Sequence, residues 1–190
     1  CLFPNTDAPG VTPPPHASMY LSPGVGVEAG VIAADLDEAE EMPLRLVQVY
    51  RGDDIGRHGA AALTGALPGV PSRAVAAGAR PGWVQAGEVL VLWLTAPELT
   101  AYFFTAPEPP EGVRVYVSAT LAGFDQGIDP SLIPSAWQAA VRIVYPFDLP
   151  DVRFGRQVIN LGGWMADHGL TLARRTARIQ GDTFSACGVV

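Results

Sequence analysis

Lysine is absent: all 12 basic residues are arginine, set against 19 aspartates and glutamates for a net charge of −7. With a pI near 4.8 and no basic block, the chain lacks the phosphate-tracking surface that nucleic-acid binding requires, and lacks the charge that draws a protein unaided to anionic lipid. The exclusive use of arginine has no single-site explanation and reads as the coding bias of a high-GC source. Cysteine is scarce. Cys1 and Cys187 stand at opposite ends, which excludes the disulfide framework of small secreted domains and leaves no cysteine pair for zinc. Long apolar runs are missing too: the longest, Val89 to Leu94, falls far short of the roughly 18 to 20 residues that span a bilayer.

What is present is enough for a folded core. Hydrophobic residues make up 48% and charged residues 16%, with a mean hydropathy of +0.22, which excludes a largely disordered chain. A length of 190 residues corresponds to one domain, or one domain plus a tail. The 21 glycines and 18 prolines favour short strands joined by turns over long helices.

Strand-like segments dominate the reading. Met19–Leu21 and Val25–Ala33 read as short, glycine-interrupted strands, separated by the acidic run 35–41 from Leu44–Arg51, whose alternation predicts a half-buried strand. Gly52–Pro81 reads mostly as a long loop, with a helical turn or two over Ala60–Leu67. Glu88–Thr95, Leu99–Thr105 and Val113–Thr120 form the strongest β block, bounded by prolines. A short helix is expected over Asp129–Ala140, with Asp129 as N-cap and Pro130 early in it. Ala140–Tyr145 and Val152–Asn160 add strands, and Leu170–Gln180 fits either a strand or an amphipathic helix. The expected fold is therefore mainly β: a β-sandwich-like domain over residues 18–190 with one or two short helices, preceded by a disordered or extended proline-rich tether over residues 1–17.

The amino-terminal stretch, Cys1-Leu2-Phe3 followed by the proline-rich Pro4–Pro15, resembles a mature bacterial lipoprotein. That resemblance implies lipidation of Cys1, attachment to membrane through the acyl chains, and a location on the periplasmic side of a bacterial membrane, either the outer membrane or the periplasmic face of the inner one. Acyl chains contribute about 0.8 kcal/mol per buried CH₂ and two or more hold stably, while a proline-rich tether spaces the domain from the surface. The segments Pro43–Tyr50, Gln85–Glu88 and Val113–Phe124 are faintly similar to the type VI secretion outer-membrane lipoprotein, which implies a small β-sandwich. Ala86 stands where that family's turn carries proline, and the carboxy-terminal third does not match.

Catalytic constellations are thin. His16, His58 and His168 lack metal-ligand spacing, and there is no nucleophile elbow, His-Glu-x-x-His or Walker loop. Gly24, Gly26 and Gly30 are wrongly spaced for a dinucleotide fingerprint. Neither a metal nor a cofactor is expected. Asp167-His168 could serve a hydrolase with Ser185 or Cys187, although a solvated turn explains the same residues more simply. The acidic run lacks the alternating loop of calcium sites, and Arg51-Gly52-Asp53 reads as incidental. Surface for recognition is more prominent. Trp83 and Trp164 lie among turn residues, and Arg174, Arg175 and Arg178 form the sole basic cluster, so these five are the candidate partner-binding residues. The function expected is a non-enzymatic, lipid-anchored accessory or assembly subunit of a bacterial envelope complex of the secretion, pilus, respiratory or photosynthetic kind, its partner a membrane protein complex. The alternative is a periplasmic ligand-binding or carrier lipoprotein.

Overall fold

The computed structural model describes residues 2–7, 19–22, 24–39, 42–78, 84–146, 152 and 161–171. Two short strands, β1 (Leu2–Asp7) and β2 (Met19–Ser22), pair in parallel as a separate ladder, with Leu2 opposite Met19. The body follows as α1 (Gly24–Asp37), β3 (Arg45–Tyr50), α2 (Asp54–Ala66), β4 (Ser72–Ala76), β5 (Glu88–Trp93), α3 (Ala96–Thr105), β6 (Arg114–Ser118), α4 (Ala119–Ala122), α5 (Ser135–Gln138), β7 (Val141–Val144) and α6 (Gly163–Asp167). Strands β3 to β7 form one sheet in the order β4-β3-β5-β6-β7, every pair parallel. The mainly-β sandwich expected from composition is thus corrected to an α/β fold with an all-parallel sheet covered by helices.

The physical reason lies in which faces the strands bury. Both faces of the sheet are covered, as parallel sheets require, because their crossovers place helices on each side. Leu46, Val89, Val91, Trp93, Tyr116 and Val144 face α1 and α2. Val47, Val49, Leu90, Leu92, Val115 and Val117 face the opposite layer, built from Leu99 and Phe103 of α3 with Phe124, Ile133 and Trp137. Strand β5 is buried at all six positions. Its unbroken apolar run is the mark of a strand buried on both sides, whereas a sandwich strand alternates.

Two segments expected as strands are helices. In α1 the residues Val25, Ala29, Ile32 and Leu36 recur at three- and four-residue spacing and are buried together, and glycine serves close packing. A Cβ on Gly26 would stand 3.2 Å from His58 Nε2 on α2. Leu99–Thr105 belongs to α3, started by a capping box in which Glu98 accepts from the Thr95 amide at 2.9 Å and from the Thr95 hydroxyl at 2.7 Å, with Pro97 in the first turn. The long loop expected over Gly52–Pro81 instead holds α2 and β4 in its described part. The helix expected over Asp129–Ala140 is split. Asp129 does cap a turn, accepting from the Ser131 amide at 2.8 Å, but that turn is a 3₁₀ element over Pro130–Leu132, and α5 begins only after Pro134. The strands expected around Leu44–Arg51, Glu88–Thr95, Val113–Thr120 and Ala140–Tyr145 are present as β3, β5, β6 and β7.

Candidate functional site

Numbered within the sheet, the strand order is 2-1-3-4-5. The chain leaves β3 through α2 towards one sheet edge, and leaves β5 through α3 towards the other. Two crossovers of the same hand that run in opposite directions place their helices on opposite faces, and so they do here. Between the carboxyl ends of β3 and β5 the connections therefore diverge, and this switch point is where open α/β sheets form their ligand-binding crevice.

The crevice is walled by two elbows. After β3, the Arg51 amide donates to the Trp93 carbonyl at 3.0 Å, which ties the loop to the neighbouring strand. Arg51 Nε pairs with Asp53 Oδ2 at 2.7 Å, and Asp53 Oδ1 accepts from the Gly56 amide at 2.9 Å as the N-cap of α2. Position 56 must be glycine because an added Cβ would lie 2.5 Å from the Arg51 carbonyl oxygen. The Arg51-Gly52-Asp53 tripeptide is therefore an architectural element of the turn. After β5, Thr95 and Glu98 form the second elbow. At each helix start a carboxylate of the chain itself takes one amide, Asp53 that of Gly56 in α2 and Glu98 that of the N-cap Thr95 before α3, donors that a bound phosphate would otherwise use. Asp54 pairs with Arg57, whose guanidinium also donates to the Gly52 carbonyl at 2.9 Å, so this end of α2 carries two ion pairs, Arg51–Asp53 and Asp54–Arg57.

One strand further along, a buried carboxylate lies at the same carboxyl end of the sheet, against the end of β6. Glu28 of α1 is 0% exposed. It accepts from the Ser118 hydroxyl and, at 2.9 Å, from the Thr120 amide, while Ser118 Oγ accepts from the Leu121 amide at 3.1 Å and caps α4. Burial pushes the Glu28 carboxyl up to about 7, opposed by the hydrogen bonds from Ser118 and Thr120 and assisted by the charge of Asp125. The sequence does not mark this group, because the glycine-interrupted Val25–Ala33 reads as a strand and only the helix turns Glu28 inward.

Other polar groups in the layer are structural. Asp35, from the acidic run, lies in the last turns of α1, where it accepts from the Tyr116 hydroxyl and pairs with Arg142 at 2.6 Å. The Tyr116 bond, more than the arginine, holds the Asp35 carboxyl below its ordinary range. Among the described residues no cluster of His, Cys, Asp and Glu could hold a metal ion, and no helix is long and apolar enough to cross a membrane.

Of the candidate partner-binding residues, Trp164 lies on α6, 45% exposed, with its ring stacked on His168 at a centroid distance of 4.4 Å. Cys1, Trp83, Arg174, Arg175 and Arg178 lie outside the described residues, as do Ser185 and Cys187. Two surface hollows stand apart from the crevice: one beside β7, touching Pro130, Ile133 and Ile143, and one at the amino ends of β5 and β6. No protein-family model, curated protein or solved structure matches the chain.

Proposed function

We propose that the chain is a ligand-binding module that takes a small polar organic molecule at the crevice between the carboxyl ends of β3 and β5. The observation that carries this reading is the divergence of the two elbows, Arg51–Asp53 and Leu94–Thr95, at the point where the strand order reverses. The first turns of α2 and α3 already hold Asp53 and Glu98, so a nucleotide phosphate is disfavoured. The two ion pairs there, Arg51–Asp53 and Asp54–Arg57, offer both signs of charge, which fits a ligand that itself carries an ammonium and a carboxylate able to exchange partners with them.

A thermal-shift screen of amino acids, amines and dicarboxylates tests the reading, because a ligand that binds only the folded state raises Tm. The expected result is a zwitterionic ligand whose stabilising effect is lost in Arg51→Ala. A stabilising ligand whose effect is untouched by Arg51→Ala, or no stabilisation by any class, overturns it.

A second reading, the accessory subunit of a bacterial envelope complex, draws support from exposed aromatic surface. Phe104 is 90% exposed and Trp164 45%, and aromatics of this kind anchor interfaces. Trp164→Ala should then weaken association with a membrane complex while leaving Tm nearly unchanged, and intact association would exclude Trp164 as an anchor.

A further inference from the structure

At the opposite end of the strands from the crevice lies a hollow of about 240 Å³ that neither reading above uses. Its floor is Leu90 of β5 and Val113 just before β6, and its inner wall is the aromatic pair Tyr102 and Trp137, set edge to face with ring centroids 6.1 Å apart. Its outer wall is the segment Ala106–Pro110, in which Pro107, Pro109 and Pro110 line the space. Proline-rich backbone of this kind is already restricted and holds such a wall at little ordering cost. Burial pushes the Tyr102 phenol up to about 12, so it stays neutral at physiological pH.

The charge of the lining decides the chemistry. Every lining residue but one is uncharged, and the exception is Glu108, an exposed carboxylate on the outer wall. An anion would meet only repulsion there. A flat apolar body gains from the two rings and the prolines, and an ammonium group at its end meets both the carboxylate and the electron-rich ring faces. The volume matches a single ring with a short side arm; a dry engineered cavity of about 150 Å³ already accepts benzene.

We propose that this hollow is a binding site for a small aromatic amine, its ring held between Tyr102, Trp137 and the proline wall and its ammonium paired with Glu108. The site stands independently of the crevice, since it shares no residue with it.

Titration with benzylamine, benzyl alcohol and benzoate, followed through the methyl resonances of Val84, Leu90 and Val113, tests this. Benzylamine should give saturable shifts at millimolar concentration, benzyl alcohol should bind more weakly, and benzoate weakest. Glu108→Gln, at an exposed position, should weaken benzylamine about two- to fivefold, the range of an exposed ion pair, and leave benzyl alcohol unchanged. Ala106→Leu, which adds bulk inside the hollow, should abolish binding of both in a protein of unchanged circular dichroism. The proposal is overturned by an absence of saturable shifts, by benzoate binding as tightly as benzylamine, or by indifference of benzylamine to Glu108→Gln. Since Glu108→Gln does not touch the core, that last arm holds even if Ala106→Leu fails to fold.

Discussion

The indole N–H of Trp93 on the central strand donates a 2.8 Å hydrogen bond to Oε1 of Gln48 on the neighbouring strand, inside the layer between the sheet and α2. The two hydrogens of the Gln48 amide are shared among three acceptors, the Ala60 carbonyl at 3.1 Å and the Thr64 and Ser72 hydroxyls at 3.0 Å each. One fully buried glutamine thus joins β3, β4, β5 and α2, and every polar atom of its side chain is used.

Gln48→Leu should be strongly destabilising. It keeps the apolar volume but leaves the Trp93 N–H buried without its acceptor, at a cost of about 1 to 3 kcal/mol. Urea denaturation should show a lower midpoint at unchanged slope. A change below about 0.5 kcal/mol would mean that the bond contributes little to the fold.

Two glycines on helices should respond in opposite directions. A Cβ on Gly59 of α2 would stand 2.9 Å from the Trp93 ring, so Gly59→Ala should cost about 1 to 3 kcal/mol through overpacking. In the middle of α1, Gly30 has nothing within 4 Å of an added Cβ, and Gly30→Ala should stabilise by about 0.5 to 1 kcal/mol through helix propensity. Melting temperatures of the two variants, measured side by side, check the pair.

The capping box of α3 gives a third expectation. Thr95→Ala removes the hydroxyl partner of Glu98 and should lower stability by about 1 kcal/mol. A loss of that size without loss of ligand binding would separate the architectural role of this elbow from any contact with ligand.

Glu28 should make stability depend on pH. Its carboxyl is raised in the folded protein from 4.5 to about 7, so the folded state holds the proton more tightly than the unfolded chain does. Its stabilising contribution is complete below about pH 4.5 and is lost as pH rises through about 7. Glu28→Gln removes the titration. Relative to that variant, the native protein should lose up to roughly 3 kcal/mol between pH 4.5 and pH 8. Parallel pH dependences in the two proteins would show that Glu28 is not the group responsible.

The sequence by itself determined the pieces set by local chemistry. The β-branched run in Leu44–Arg51, the apolar run in Glu88–Thr95 and the strand before Ser118 are all where their residues place them. Asp129 is an N-cap as its sequence implies, although it caps a 3₁₀ turn and not a helix reaching Ala140, and the described residues bury the large core that the hydropathy implies. The α3 start was also legible: Thr95 and Glu98 with Pro97 between them spell a capping box, a stronger local sign than the aromatic run that reads as a strand. What only the tertiary structure decided is how the strands are covered. A short apolar run is compatible with a sandwich strand and with a central parallel strand, and the difference lies in whether α1 and α3 pack over its two faces. The residues Val25, Ala29, Ile32 and Leu36 become a helix because that geometry buries them together against the sheet, an energy that no local propensity contains. The crevice follows for the same reason, since Arg51 and Thr95 are brought together by strand order, which is a property of long-range pairing.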